Sequence, residues 1–169
     1  MNVTTADVAA SNGTIHAIDG VLLPTIVDTA VGYDDGKTTF KTLVQAVTAA
    51  DLVTTLSGPG PFTVFAPTDE AFAALKTQLG AAAFDAILAD KAKLSKILTY
   101  HVVGASVYEK DVAAGDVKTV EGANITIATT GGVTIKDSTT TAAKVVFTDL
   151  PNRNGVIHVI DKVLLPPGL

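Results

Sequence analysis

A chain of 169 residues, 47% hydrophobic and 17% charged, is long enough for one buried core and too apolar to be disordered. Its net charge of −5, with 12 basic residues scattered along it, would repel phosphate backbones and argues against nucleic acid as a partner. The chain has no cysteine, which removes disulfides and thiolate metal sites, and no apolar run reaches the roughly eighteen residues of a spanning helix.

The first apolar segment, Asn12 to Pro24, reads N-G-T-I-H-A-I-D-G-V-L-L-P, and Asn154 to Pro166 reads N-G-V-I-H-V-I-D-K-V-L-L-P. Ten of the thirteen positions are identical at a spacing of 142 residues, and nothing between them repeats, which excludes a short-period solenoid. Units of about that length in tandem explain the match. Residues 1–24 are then the tail of a preceding unit and residues 25–169 a complete one. The tail carries Ile15, Ile18, Val21, Leu22 and Leu23 without the domain that would cover them. It is expected to pack on its own domain or to pair with a second copy, in the extreme as a domain swap. The N-terminus lacks a basic stretch followed by an apolar run, so any export signal is expected outside these residues.

From Thr25 onward, helices dominate first. Ile26, Val27 and Ala30 fit a short amphipathic turn or two. After the loop at residues 32–36, Thr38 is the expected N-cap of a helix with Phe40, Leu43, Val44 and Val47 on one face. Ser57-Gly58-Pro59-Gly60-Pro61 breaks the chain, and Phe62 to Phe65 alternate as a strand. Thr68 caps the next helix, with Asp69 and Glu70 at the positive end of its dipole and Phe72 and Leu75 inward. Two more helices carry Phe84, Ile87 and Leu88, then Leu94, Ile97 and Leu98.

Beyond Val102 the residues become β-branched. Short strands are expected at 117–120, 124–128, 133–136 and 144–148, with Gly131-Gly132 in a hairpin turn. Asn154-Gly155 marks a tight turn into 156–160, which is apolar on both faces, as in the middle of a packed sheet. Helices first and strands afterwards predict an α+β domain, its helices gathered on one side of antiparallel sheets.

Three ordered blocks resemble the fasciclin domain family: Phe62-Thr63-Val64-Phe65-Ala66-Pro67-Thr68-Asp69-Glu70-Ala71-Phe72, then Leu98-Thr99-Tyr100-His101-Val102-Val103, then Asn154-Gly155-Val156-Ile157-His158-Val159-Ile160-Asp161. Residues 2 to 24 resemble the end of a preceding domain of that family, with Asp7 at the place of Asp149. The resemblance implies a helical layer packed on a wedge-shaped antiparallel β-sandwich, usually in tandem on secreted or surface-anchored proteins. It implies adhesion to surface or matrix partners rather than catalysis. Thr68, Asp69, Asn154, Gly155, His158 and Asp161 match its signature positions. Tyr100 and His101 match one contact motif reported for animal members; Asp149-Leu150 matches a second only partly, because Leu stands where the family has Ile.

The residues themselves favour plainer roles. His101 falls on one helical face with Leu94, Ile97 and Leu98, which suits a hydrogen-bonded core imidazole better than a contact residue. Tyr100 lies on another face, so the pair should not be buried or displayed together. His158 alternates with Val156 and Ile160 and also reads as a core imidazole, held by a carbonyl or carboxylate. Asp149 is expected to accept N–H groups and pin the loop after it, and Asp161 and Asp19 to be strand-end polar groups.

Catalytic signals are weak. Residues 32–38 imitate a phosphate loop but have three residues between the glycines and two carboxylates where phosphate would sit. There is no G-x-S-x-G elbow, no histidine tied to Ser57, no helical His pair for zinc and no alternating oxygen ligands at Asp34-Asp35-Gly36 for calcium. The Asn-x-Thr triplets at Asn2, Asn12 and Asn124 read as coincidences of a Thr-rich chain. The expectation is therefore a non-enzymatic, cofactor-free adhesion module, secreted, extracellular or periplasmic, meeting a protein, a polysaccharide or its own copies. The alternative is a small-molecule-binding or hydrolytic domain with a cleft between helices and sandwich.

Overall fold

The computed structural model describes residues 2–36 and 38–169. The chain opens with an isolated antiparallel hairpin, β1 (Val3–Ala10) and β2 (Gly13–Ile18), every residue of which is exposed. It does not pack on the rest of the molecule, so the expected folding-back onto its own domain does not occur. Beyond its second strand, the Pro24 carbonyl accepts the Arg153 N–H of the body at 2.9 Å.

Three helices follow: α1 (Ile26–Gly32), α2 (Lys41–Ala49) and α3 (Val53–Ser57). Thr25 and Asp28 form a capping box at the start of α1. The helix expected to start from Thr38 begins instead at Lys41, with no cap from its own N-cap residue, Phe40. Thr38 is held in the preceding loop, its N–H donated to the Asp35 carboxylate at 2.6 Å. The cap comes from Asp69, whose carboxylate accepts the N–H groups of Lys41 (3.2 Å) and Thr42 (2.8 Å) and the hydroxyl of Thr39.

β3 (Phe62–Pro67) leads into α4 (Asp69–Leu79), which Thr68 caps by accepting the Ala71 N–H. Next come α5 (Ala81–Ala89), α6 (Lys91–Tyr100) and the short β4 (Val102–Val103). The remaining strands are β5 (Gly115–Lys118), β6 (Asn124–Ala128), β7 (Thr134–Lys136), β8 (Ala143–Asn152) and β9 (Gly155–Ile160).

These seven strands form one hydrogen-bonded sheet in the order β4-β3-β9-β8-β7-β6-β5. The expectation of purely antiparallel pairing fails at its centre. β3 and β9 run parallel over six residue pairs, Phe62 opposite Gly155 through Pro67 opposite Ile160. The 87 positions between Pro67 and Gly155, which hold three helices and the other strands, are the crossover that a parallel pair requires. β9 is wholly buried, as its two-sided apolar pattern predicts.

Two cores result. Ile157 and Val159 of β9, with Val64 and Ala66 of β3, meet Leu43, Val47, Phe72, Leu94 and Ile97 of the helices. On the other side Phe65 and Ile160 meet Ile125, Ile127, Ile135 and Leu164, because the sheet curls over itself. The body is an α+β unit whose central strands are covered on both faces.

Candidate functional site

The signature residues turn out to be joints between elements. Asn154, in the two-residue β8–β9 turn, accepts the Ile26 N–H at 3.0 Å and donates to the carbonyls of Leu56 (2.7 Å) and Gly58 (2.9 Å). One buried amide thus ties together the start of α1, the end of α3 and the central hairpin. Gly155 has φ of 154°, and a Cβ there would lie 2.0 Å from the Phe62 carbonyl oxygen. Gly60 is as tight: a Cβ on it would meet the Asn154 carbonyl oxygen at 1.9 Å. Only glycine lets β3 and β9 start side by side. Asp161 closes the far end of the hairpin by accepting the Lys144 N–H at 2.7 Å.

Asp69 sits between α4 and α2. Burial alone would raise its pKa, but the hydrogen bonds from Thr39, Thr42 and Lys41 outweigh it and hold the carboxyl below its ordinary value.

Tyr100 and His101 are both buried, 1% and 2% exposed, against the expectation that the two would part. The end of α6 lies between the two cores. Tyr100 enters the sheet-side core and donates its hydroxyl to the Asn124 carbonyl at 2.9 Å. His101 caps the helix on the other side. Its Nδ1 is 2.8 Å from the Ile97 carbonyl and must donate, while its Nε2 accepts the Leu164 N–H at 2.8 Å, which defines the neutral tautomer. Burial pushes its pKa down to about 4. Neither side chain offers surface to a partner.

His158 is 2% exposed and stacks on Phe65, the ring centroids 5.8 Å apart. Its Nε2 donates to the Val107 carbonyl at 2.8 Å, and its Nδ1 accepts the Asp149 N–H at 3.3 Å. Asp149 has a left-handed backbone (φ 59°) where the β8–β9 register shifts, and its carboxylate accepts the Glu109 N–H at 2.8 Å. It therefore pins the 3₁₀ turn Glu109–Asp111 rather than the loop after itself. Leu150 is half-buried against the helical core. Beside them, Val146 (56%) and Phe147 (50%) are exposed large apolar side chains of β8, at a bulge that sequence periodicity does not reveal.

The isolated hairpin repeats this arrangement in detail. Val3 opposes Ile18 as Val145 opposes Ile160, Thr5 opposes Ala17 as Phe147 opposes Val159, and Val8 opposes Ile15 as Leu150 opposes Ile157. Both hairpins shift register at the same two places. Asp7 has φ of 55°, and its N–H meets His16 Nδ1 at 3.2 Å. Asp19 closes the end by accepting the Asn2 N–H at 2.7 Å. The geometry matches while burial does not. Ile157, Ile160, Val163 and Leu164 are at most 1% exposed, whereas Ile15, Ile18, Val21 and Leu22 are 56%, 41%, 80% and 75% exposed.

One polar cluster escaped the sequence reading. The Asp137 carboxylate is buried and accepts from Lys162 Nζ (2.8 Å), the Thr139 hydroxyl and amide, and the Leu165 N–H. These bonds outweigh desolvation and lower its pKa. The two residues lie 25 apart on different elements, so no local pattern signals them.

Among the described residues, every buried side-chain nitrogen or oxygen has a partner, and no group of three His, Asp or Glu side chains is placed to hold a metal ion. Lys37, part of the phosphate-loop imitation, lies outside the described residues. No single helix among them is long and apolar enough to cross a membrane.

The body is an α+β unit closed by a central Asn-Gly hairpin, with the ring nitrogens of His101 and His158 held by hydrogen bonds within it. The fasciclin domain model matches residues 38–166, and the chain belongs to that family. It is 46% identical over 145 residues to protein sll1483 of a Synechocystis strain, covering 85% of this chain and 74% of that protein. It is 33% identical over 164 residues to the transforming growth factor-beta-induced protein ig-h3 of Sus scrofa, covering 95% of this chain but 22% of that protein. The solved FAS1 domain pair of the insect cell adhesion molecule fasciclin I superposes with a TM-score of 0.67 at 23% identity. That match covers 96% of this chain and 59% of the pair and establishes the common fold.

Proposed function

We propose that the chain is a non-enzymatic adhesion module from a tandem-domain protein, acting outside the cell or in the periplasm, with residues 1–24 the closing segment of a preceding unit and 25–169 a complete one. The observation that carries this reading is the hairpin: it reproduces the register of β8–β9, with both of its shifts, and presents Ile15, Ile18, Val21 and Leu22 uncovered where Ile157, Ile160, Val163 and Leu164 are buried. Burying Ile15, Ile18, Val21 and Leu22 against a second body would contribute on the order of 1.5–3 kcal/mol each, enough to hold it there. The curled sheet with a core between its halves is read as the family's wedge-shaped sandwich.

The body that receives the hairpin is a different unit, not the body of another copy of this chain. Displacing β9 would put Thr14 and Ala17 where Val156 and Val159 are buried, and Gly20 where Lys162 pairs with Asp137. An unpaired buried hydroxyl costs about 1–3 kcal/mol, and a lost buried methyl pair adds to it. The resident hairpin wins.

Partner contact is assigned to the exposed Val146 and Phe147 beside Asp149, with a surface protein, a polysaccharide or a neighbouring copy as the partner. The engaged ring nitrogens of His101 and His158 count against the hydrolytic alternative. The test is binding of this chain and of a two-unit protein to intact cells and to polysaccharides. A weak single-unit signal that rises by about 10²-fold or more through avidity supports the proposal. Equal binding, or binding unchanged by Phe147→Ser in both proteins, would overturn it.

A further inference from the structure

Between α1, α2, α3 and the centre of the sheet lies a cavity of ≈ 150 Å³ that the packing leaves unfilled. Its walls come from Val27, Ala30, Leu43, Val47 and Leu56, and its floor from Val64 and Ile157. It reaches the surface where two of its lining residues, Val31 of α1 and Val53 of α3, are 65% and 37% exposed.

None of the lining side chains is charged, and only Thr48 and His101 are polar. The Thr48 hydroxyl donates to the Val44 carbonyl at 2.8 Å. Both nitrogens of His101 are engaged, one by the Ile97 carbonyl and the other by the Leu164 N–H. A trapped water needs two to four polar partners and would not find them here. An apolar cavity of about 150 Å³ stays dry and accepts molecules the size of benzene or xenon.

We propose that this cavity binds the hydrocarbon end of a small neutral amphipathic molecule, entered between α1 and α3, with the polar end left in solvent. The walls fix the chemistry. An anion or cation would lose its hydration and meet no counter-charge, whereas an alkyl or aromatic end gains contacts that the void now lacks. The short helix α1 makes one side of the entrance, and its half-buried Val27 and Ala30 are the side chains that a ligand would press against.

The test is a methyl NMR titration of the full chain with 1-hexanol. Saturable shifts confined to the methyl groups of Val27, Ala30, Leu43, Val47 and Leu56 are expected, with the methyls of Ile125, Ile127 and Ile135 in the second core unmoved. Ala30→Leu, which fills the space, is expected to abolish those shifts. Phosphatidylcholine vesicles distinguish the source of the chain: the same shifts with vesicles identify a lipid tail, and shifts with hexanol alone identify a free small molecule. Absence of saturable shifts in the wild-type chain up to the solubility limit of hexanol overturns the proposal, whatever the fold of the variant. Equal shifts in a folded Ala30→Leu protein overturn it as well.

Discussion

The hairpin of residues 2–19 and the hairpin of residues 144–161 share the turn and most of the second strand's sequence, the register, two register shifts and a left-handed aspartate bonded to a histidine, yet one is solvent-exposed and the other lies at the centre of the fold. The difference separates two levels of cause. Turn residues, β-branched side chains and the Asp–His bond are local and suffice to set the hairpin's shape. Burial is not local. It comes from β3, which β9 has as a parallel neighbour and β2 does not.

Paired substitutions sharpen that comparison, beginning with the largest expected effect. Gly155→Ala forces a Cβ into the Phe62 carbonyl and should destabilise the body by more than about 4 kcal/mol or prevent folding. Gly13→Ala, where a Cβ meets nothing within 4 Å, should leave urea unfolding within about 0.5 kcal/mol of the parent. Comparable losses from both would break the distinction.

Next, Asn154→Ala leaves a buried N–H and two carbonyls without their partner and should cost about 3 kcal/mol. Asn12→Ala should register almost nothing in the same denaturant series.

A pH series separates body from hairpin in another way. His101 has a folded pKa near 4, below its ordinary 6.5, so the unfolded chain binds the extra proton between those values. Its contribution is complete above about pH 6.5 and is lost as pH falls toward 4, by about 3 kcal/mol in all. His101→Gln should flatten the slope between pH 6.5 and 4.5, and an unchanged slope would refute the assignment. Asp69 and Asp137, with depressed folded values, act lower: their contributions hold above the ordinary carboxyl range and go as pH drops through it.

The smallest effect is expected from deleting residues 2–23. The melting temperature should move by no more than about 2 °C, because the hairpin packs on nothing in the body. A fall of 5 °C or more would mean that the hairpin supports the body after all.

Much of this was legible in the sequence, for identifiable reasons. The 142-residue repeat, the Asn-Gly turn and the two-sided apolar run at 156–160 gave the central strand and its duplicate. Helical spacing placed Phe72, Leu75, Leu94, Ile97 and Leu98 inward. The parallel β3–β9 pair was not legible, because a strand's partner lies far along the chain and its own residues do not encode direction. The same distance hid Asp69 as the cap of α2 and Asp137 as the partner of Lys162. For Tyr100 and His101, the rule of opposite faces held, but a second core buries the face that would otherwise be displayed.

Amide hydrogen exchange on a two-unit protein, with residues 25–142 joined directly ahead of residue 1, tests the central claim most directly. The account predicts that the amides of Ile15 and Ile18, in strands exposed to solvent in the single chain, become protected well beyond their level there, though less than Ile157 and Ile160, because Thr14, Ala17 and Gly20 fit this body less well than Val156, Val159 and Lys162. If they exchange as fast as before while the added body is folded, the hairpin is not a closing element and the tandem reading is wrong.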